Sequence, residues 1–491
     1  MKTRTLKQLL LYNYRYFFAQ IVVLAFIAYF LCWRLGNVGP GLSAAEINAA
    51  AHHTSLAKLF SYPLYPVHAA AQWASLKVFG VNPISIRLPD VALAAVTAYV
   101  LYNLLKKWLG RSTALLSAAL FISADWFLYV ARTGAGAIEL SFWLALALLS
   151  ITKVLEHKAQ WIYIFSLSII GLFFVPFGIY CAITLLVSLF TARVIRERFE
   201  EAKLWQKITC AIPGISALLY LAYTIMNNPH FGMQLLGISQ LPTIGGYFYN
   251  AFVNAANVVA ILPNANPANS PTNVFIIRFF EIIFILFGVI MFWRTRVNRL
   301  NVIVLSLSTV LVLAGGLSKD SSLLGLLLVP AAIYITAGIR YLMHRWKLTF
   351  PKNPYARVTA YIPLSLLFVL VVTVHYLSYF VLWPSNTDTH VAFTRDFMLV
   401  KNELDNQNYK DTSCLVQTDD SDFKALLSSS RTVCKPVFPD NPDASLLART
   451  LILRPTFDNT VFTDKAQVSH PLVSETKNNS LRWIVVRASA Q

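Results

Sequence analysis

A chain of 491 residues that is 56% apolar and only 13% charged is not a soluble globular protein of ordinary make-up; it reads as a polytopic membrane protein. A formal net charge of +18 would suggest nucleic acid in a soluble protein. Here the basic residues fall in alternate loops, so the charge reports topology and nucleic acid is disfavoured.

The first apolar run, Phe17 to Leu35, is long enough to cross a bilayer and lacks a small-residue cleavage site, which makes it an anchored first helix. Further spans are expected at 87–105, 112–131, 135–152, 161–175, 179–192, 208–226, 274–293, 300–317, 322–341 and 359–382, about eleven in all. Basic clusters punctuate them: Lys2 to Arg15, Lys106 to Arg111, Lys153 and Lys158, Arg193 to Lys207, Arg294 to Arg299, and Arg340 to Arg357. With the N-terminus in the cytoplasm these clusters are all inside, and the intervening loops carry few cations, notably Lys58, Lys77, Arg87, Arg132, Arg278 and Lys319. Counting Leu64 to Phe79 as a span would invert that order, so it is read as a surface segment. The stretch Trp161 to Phe190 is basic on both flanks and needs an even number of crossings; two short helices turning at Pro176-Phe177-Gly178, or a re-entrant hairpin, would serve.

The loop 36–90 is too polar to cross the membrane and is the expected active-site loop. Ser43 precedes a helix-forming run to Phe60, with Glu46 three residues on as in a capping box. Glu46 and His53, seven residues apart, would share one face, with Ala49 and Ala50 leaving it open. A second amphipathic stretch, Leu64 to Phe79, carries His68, Gln72 and Lys77 and is closed by Gly80, giving two helices lying on the membrane. The other long outer loop, 227–273, reads as a partly ordered lid with a short helix near Gly246 to Ile261. After Trp383-Pro384 the composition turns polar, and 385–491 reads as a small extracytoplasmic α/β domain. Its helices are expected at Phe393 to Leu404 and Phe423 to Ser429, its strands at Ser413 to Gln417, Val433 to Val437 and Leu481 to Val486. Cys414 and Cys434 lie in it, as a disulfide or as two buried thiols.

The motifs GPGLSAAEI, SYPLYP and VFGVNPISIRLPD, in this order after the first span, resemble the first loop of GT-C glycosyltransferases, closest to the protein mannosyltransferase and aminoarabinose transferase group. The resemblance implies an all-α polytopic transmembrane domain over 1–384 bearing that loop. It places Ala45-Glu46 at the family's acidic pair, so only Glu46 could carry its role. It matches Tyr62-Pro63-Leu64-Tyr65 to the family's Pro-Leu-Tyr element and Arg87-Leu88-Pro89 to its Arg-Leu-Pro entry to the second span. Val130-Ala131-Arg132 matches the family's Arg element; where relatives place an acid five residues on, this chain has Ala137, with Glu139 the nearest carboxylate. Glu139 either takes the second acid's place or pairs with Arg132 for structure.

The activity this implies is transfer of a sugar from a polyprenyl-phosphate donor to a glycan, lipid or protein acceptor at the outer face of the plasma membrane. Glu46 and Glu139 are the candidate catalytic carboxylates. His53, Lys58, Tyr62, Tyr65, Arg87, Arg132 and Lys319 are the candidate substrate-binding residues, the cations being suited to a leaving phosphate. Glu46 and His53 could also hold a divalent metal ion. Asp125, an acid inside the third span, is placed to pair with Arg132, and Arg278 with Glu281. Ala45 and Ala137, standing where acids are expected, support a rival reading: a non-catalytic scaffold or transporter that keeps the fold.

Overall fold

The computed structural model describes residues 21–22, 25–37, 39, 41–191, 193–201, 203–238, 243–258, 275–295, 299–318, 323–350, 355, 359, 361–405, 413–416, 418, 420–438, 450–453, 466–472 and 483–488. Among the described residues, each stretch expected to cross the membrane from residue 87 onward is mostly helical. In chain order, α1 is Ala44–His52, α2 Leu56–Ser61, α3 Pro66–Phe79, α4 Pro83–Leu109, α5 Arg111–Ser123, α6 Asp125–Arg132 and α7 Ile138–Leu155. They are followed by α8 Trp161–Phe173, α9 Gly178–Thr191, α10 Arg193–Glu200, α11 Leu204–Asn227, α12 Pro229–Leu235, α13 Ile244–Val258, α14 Phe275–Arg294, α15 Arg299–Gly315, α16 Leu323–Thr349 and α17 Tyr361–Leu377. Five described helices are each long and apolar enough to span a bilayer, and the pair α5 and α6 adds a sixth crossing if taken as one.

That pair covers the expected third span, but not as one straight helix. It bends by 63° at Ala124, where the Asp125 carboxylate accepts from the Trp126 amide and starts a new helix. Asp125 does not meet Arg132. It stands 3.4 Å from His375 and accepts from Ser378 at 2.9 Å, while His375 also reaches Glu281 at 3.2 Å. Ser378–Leu382 continues α17 as a π-helical turn. The Arg278 side chain lies outside the described residues.

The Trp161 to Phe190 stretch is two short helices, with a turn at 174–177 between them. Phe177 is left-handed there (φ 61°), and its amide is held by the Leu235 carbonyl at 3.0 Å. One large apolar core, built from α4 to α9 and α14 to α17, fills the bundle. Glycine sets its closest approach: a Cβ on Gly288 would lie 2.0 Å from the Tyr334 carbonyl oxygen, and one on Gly338 2.0 Å from that of Phe284. Small residues on both helices thus let α14 and α16 pack backbone against backbone.

Beyond the bundle, the segment read as one helix from Phe393 begins as a strand. β2 (Phe393–Thr394) pairs antiparallel with β1 (Leu42–Ser43) in the first loop, and only Asp396–Leu404 (α18) is helical. A five-stranded sheet follows, in the order β4-β3-β5-β7-β6, with β3 Ser413–Val416, β4 Lys435–Val437, β5 Thr450–Leu453, β6 Ala466–Leu472 and β7 Trp483–Ala488. β3 is parallel to β4 and β5, whereas β7 is antiparallel to β5 and β6. Helix α19 (Ser421–Ser429) is capped by Asp420. Cys434 is buried and disulfide-bonded, while Cys32, Cys181 and Cys210 are free thiols.

Candidate active site at the first loop

The capping box is formed. Ser43 Oγ accepts from the Glu46 amide at 3.2 Å, and Glu46 Oε2 accepts from the Ser43 amide at 2.8 Å. The helix it starts is shorter than expected, because α1 ends at His52 and Ser55 caps a separate α2. Glu46 is fully buried, and its carboxylate is engaged from three directions. Arg87 Nε donates to Oε1 at 2.6 Å and Nη2 to Oε2 at 3.3 Å, with the Gly134 amide 3.3 Å from Oε1. Arg87 also donates to the carbonyls of Leu35 and Gly41 at 3.1 and 2.7 Å. The face expected to be open is closed, since Ala50 is also buried. Glu46 with Arg87 is therefore a joint that ties the end of the first span, β1, α1, α4 and the 133–137 turn together.

His53 caps the end of α1 and does not meet a metal-binding partner. Its Nδ1 lies 2.6 Å from Gln72 Oε1, and Gln72 Nε2 donates to the carbonyls of Ile86 and Gly134 at 2.8 and 3.0 Å. Burial first, and the nearby His68 second, push the His53 imidazole down to about 3. His68, on α3, forms a wholly buried ion pair with Asp90 of α4, Nδ1 to Oδ1 at 2.6 Å. Burial opposes charge on His68, yet the Asp90 carboxylate outweighs it and holds the imidazole above its ordinary value. Asp90 also accepts from the Gly136 amide at 3.0 Å. Arg87 and Asp90 stand three apart on α4, the spacing that puts both on one helix face, so the Arg-Leu-Pro-Asp motif carried this second pair too.

Glu139 is buried and does not pair with Arg132. It accepts from the amides of Val67 and His68 at 3.2 and 2.8 Å and from Trp143 Nε1 at 2.9 Å. It is the carboxylate cap of α3, set where the unpaired amides and the helix dipole attract negative charge. The residue before that helix, Tyr65, is half-buried and left-handed (φ 52°), and a Cβ on Gly136 would strike its ring at 2.8 Å. Arg132 donates through Nη1 to the Phe30 carbonyl at 3.1 Å and through Nη2 to that of Trp33, and its guanidinium lies over the rings of Tyr379 and Phe380. It closes the C-terminal end of the first span.

Two predicted substrate residues remain at the surface. Lys58 is exposed on α2. Tyr62 stacks on His52 with ring centroids 4.7 Å apart and donates to Gln234, so α12 of the second outer loop meets the first loop there. Burial, then Asp422, raises the Tyr62 phenol. Lys319 lies outside the described residues. Among the described residues no group of three or more His, Cys, Asp or Glu is arranged to hold a metal. Both Glu46 oxygens already accept from Arg87, Ser43 and Gly134, and His53 Nδ1 is engaged by Gln72.

The C-terminal segment covers this loop. Leu42, Ile47, Ala50, Ala51, Leu76, Val81 and Ile86 share a core with Phe397, Val400, Leu404, Phe423, Leu426 and Leu427. Asn48 donates to Asp422 at 2.6 Å. A Cβ on Gly41 would lie 1.9 Å from the Thr394 carbonyl oxygen, so only glycine admits β2 beside β1.

Residues 61–221 match the family model for dolichyl-phosphate-mannose-protein mannosyltransferases. The whole chain superposes on ArnT from Cupriavidus metallidurans. For the structure bound to undecaprenyl phosphate the TM-score is 0.59 at 11% identity, covering 97% of this chain and 99% of that one. For the apo structure it is 0.59 at 12%, covering 98% and 99%. No curated protein sequence matches the chain. The chain is a mostly helical membrane protein with the GT-C fold.

Proposed function

We propose that the protein is a glycosyltransferase that moves a sugar from a polyprenyl-phosphate donor to an acceptor at the outer face of the plasma membrane. The observation that carries this reading is the end-to-end likeness to an ArnT structure bound to undecaprenyl phosphate, joined to the mannosyltransferase match over 61–221. That match takes in α3, the Glu139 cap and Arg132.

In this reading the acceptor oxygen attacks the anomeric carbon, the bond from that carbon to the phosphate oxygen breaks, and the configuration inverts. The acceptor's proton ends on the departing polyprenyl phosphate, a monoester whose second ionisation lies near pH ~6, so the step balances without a protein base. Glu46 and Glu139 act by position. The first holds the loop through Arg87, the second holds the start of α3. Lys58, exposed beside Tyr62 and joined by Lys319 in the sequence-based assignment, supplies charge for the phosphate.

The test is transfer of label from radiolabelled undecaprenyl-phosphate hexose to an envelope extract by the purified protein and by Lys58→Ala. The expected result is transfer by the wild type and a loss of roughly tenfold or more in the variant. Donor binding without transfer would leave the acceptor as the unknown, whereas a scaffold, the reading that Ala45 and Ala137 support, should bind no lipid-linked sugar. Neither binding nor transfer would end the assignment.

A further inference from the structure

The opposite end of the bundle holds a cavity of about 460 Å³ that the sugar-transfer reading does not use. It opens where α4, α7, α14, α15 and α16 all present their basic termini. Its walls combine Trp108, Thr152 and the apolar side chains of Leu155, Met291 and Phe292 with Lys107, Thr295, Asn301 and Arg340. Three features make it a built site rather than a gap between helix ends. First, Asn301 is a buried amide fixed by two bonds from its Nδ2, to the Thr295 carbonyl at 3.2 Å and the Thr295 hydroxyl at 2.8 Å. Second, Arg340 is fastened through Nη1 alone, to the Trp108 carbonyl at 2.9 Å, and its exposed guanidinium lines the cavity. Third, the one acid among the described residues of the wall, Glu156, is already neutralised. Lys107 reaches both its oxygens at 2.6 and 2.7 Å and Lys153 stands at 3.7 Å, and the Lys107 hydrogen bond above all holds the carboxyl below its ordinary value.

The wall therefore carries net positive charge beside fixed polar groups, and hydrocarbon-facing residues continue from it: Leu286, Ile290 and Trp293 on α14 and Val302 on α15 are exposed. A phosphate held at the top with acyl chains running down that face matches both halves. We propose that this cavity binds the phosphate headgroup of an anionic membrane phospholipid, with Arg340 as its counter-ion and the mutually bonded Thr295 and Asn301 as its fixed polar floor. Basic pockets between spanning helices at a membrane surface favour such headgroups by charge and shape.

The experiment is native mass spectrometry of the full chain after detergent washing, loaded from phosphatidylglycerol or from phosphatidylcholine, alongside thermal unfolding with each lipid and with inorganic phosphate alone. One phosphatidylglycerol per chain should be retained, and its retention should fall about fivefold in Arg340→Gln, the effect of one cation at a membrane surface. Asn301→Leu fills the floor without touching the cations and should lower retention as well, which keeps the test valid if Arg340→Gln misfolds. The unfolding midpoint should rise with phosphatidylglycerol and stay flat with phosphate. Equal retention of the two lipids, retention unchanged in both variants, or a midpoint raised as much by inorganic phosphate would each overturn the lipid assignment.

Discussion

The Glu46 carboxylate carries two incompatible jobs on paper, base and counter-ion, and its bonding decides between them. A carboxylate that accepts from an arginine and two amides has its lone pairs spent, and taking it from a buried pair leaves the Arg87 charge uncompensated. Glu46→Gln should then lower stability by about 3–5 kcal/mol, read as the denaturation midpoint in detergent. Pairing Glu46→Leu with Arg87→Met should recover much of that loss. A Gln variant with an unchanged midpoint and abolished transfer would return Glu46 to the role of base. The neighbouring His53 gives a pH signature. Its imidazole is held down at about 3 against an ordinary 6.5, so it is neutral when folded and protonates on unfolding in mild acid. Its stabilisation is complete above about pH 6.5 and is lost as pH falls from there toward the depressed value, by up to about 1.4 kcal/mol per unit. His68 has the opposite sign, its contribution being present below its unfolded value and lost as pH rises through its raised one. Between pH 6.5 and 5 the wild-type midpoint should therefore drop more steeply than that of His53→Gln.

At the scale of elements, local signals were legible and distant pairings were not. The Ser43-to-Glu46 spacing and the Gly80 stop each depend on a few adjacent residues and stand as expected, and the turn expected at Pro176-Phe177-Gly178 lies at 174–177. The spans were legible because lipid demands long apolar helices, although the break at Ala124 was not: Asp125 looked like an acid in search of Arg132. Its actual neighbours, His375 and Ser378, lie some 250 positions on. The same holds for β1 and β2, whose register joins Leu42 to Thr394; two-residue strands leave no periodicity to read. For the candidate site, residue types were legible and their engagement was not, since only the fold reveals that Arg87, Gln72 and the amides of α3 occupy the very groups proposed for chemistry. Gly41 gives the strand pair a direct test. Gly41→Ala pushes a methyl into the Thr394 carbonyl. Amide exchange across 393–404 should speed up by about tenfold or more while the spanning helices keep their protection, as expected for local opening.

For the molecule as a whole, two ends with different chemistry follow from this architecture. One carries the first loop, α12 and the C-terminal sheet, knitted by the core that joins Ile47 and Ala50 to Phe397 and Phe423. The other carries the basic termini of α4, α7, α14 and α16. In the proposed orientation the positive-inside bias assigns the basic end to the cytoplasm, and the Cys434 disulfide, a bond that persists outside reducing compartments, is what a C-terminal domain on the other side would carry. The two arguments are independent, one resting on insertion and the other on redox chemistry, and they agree. Ser428 on α19 and Lys158 after α7 are both exposed and sit at the two ends. In intact spheroplasts a membrane-impermeant maleimide should add mass to Ser428→Cys and not to Lys158→Cys, measured against the unsubstituted protein. Lysis should make both react. Labelling of Lys158→Cys before lysis would reverse the orientation, moving the first loop and its buried ion pairs to the cytoplasmic face and removing the basis for transfer outside the cell.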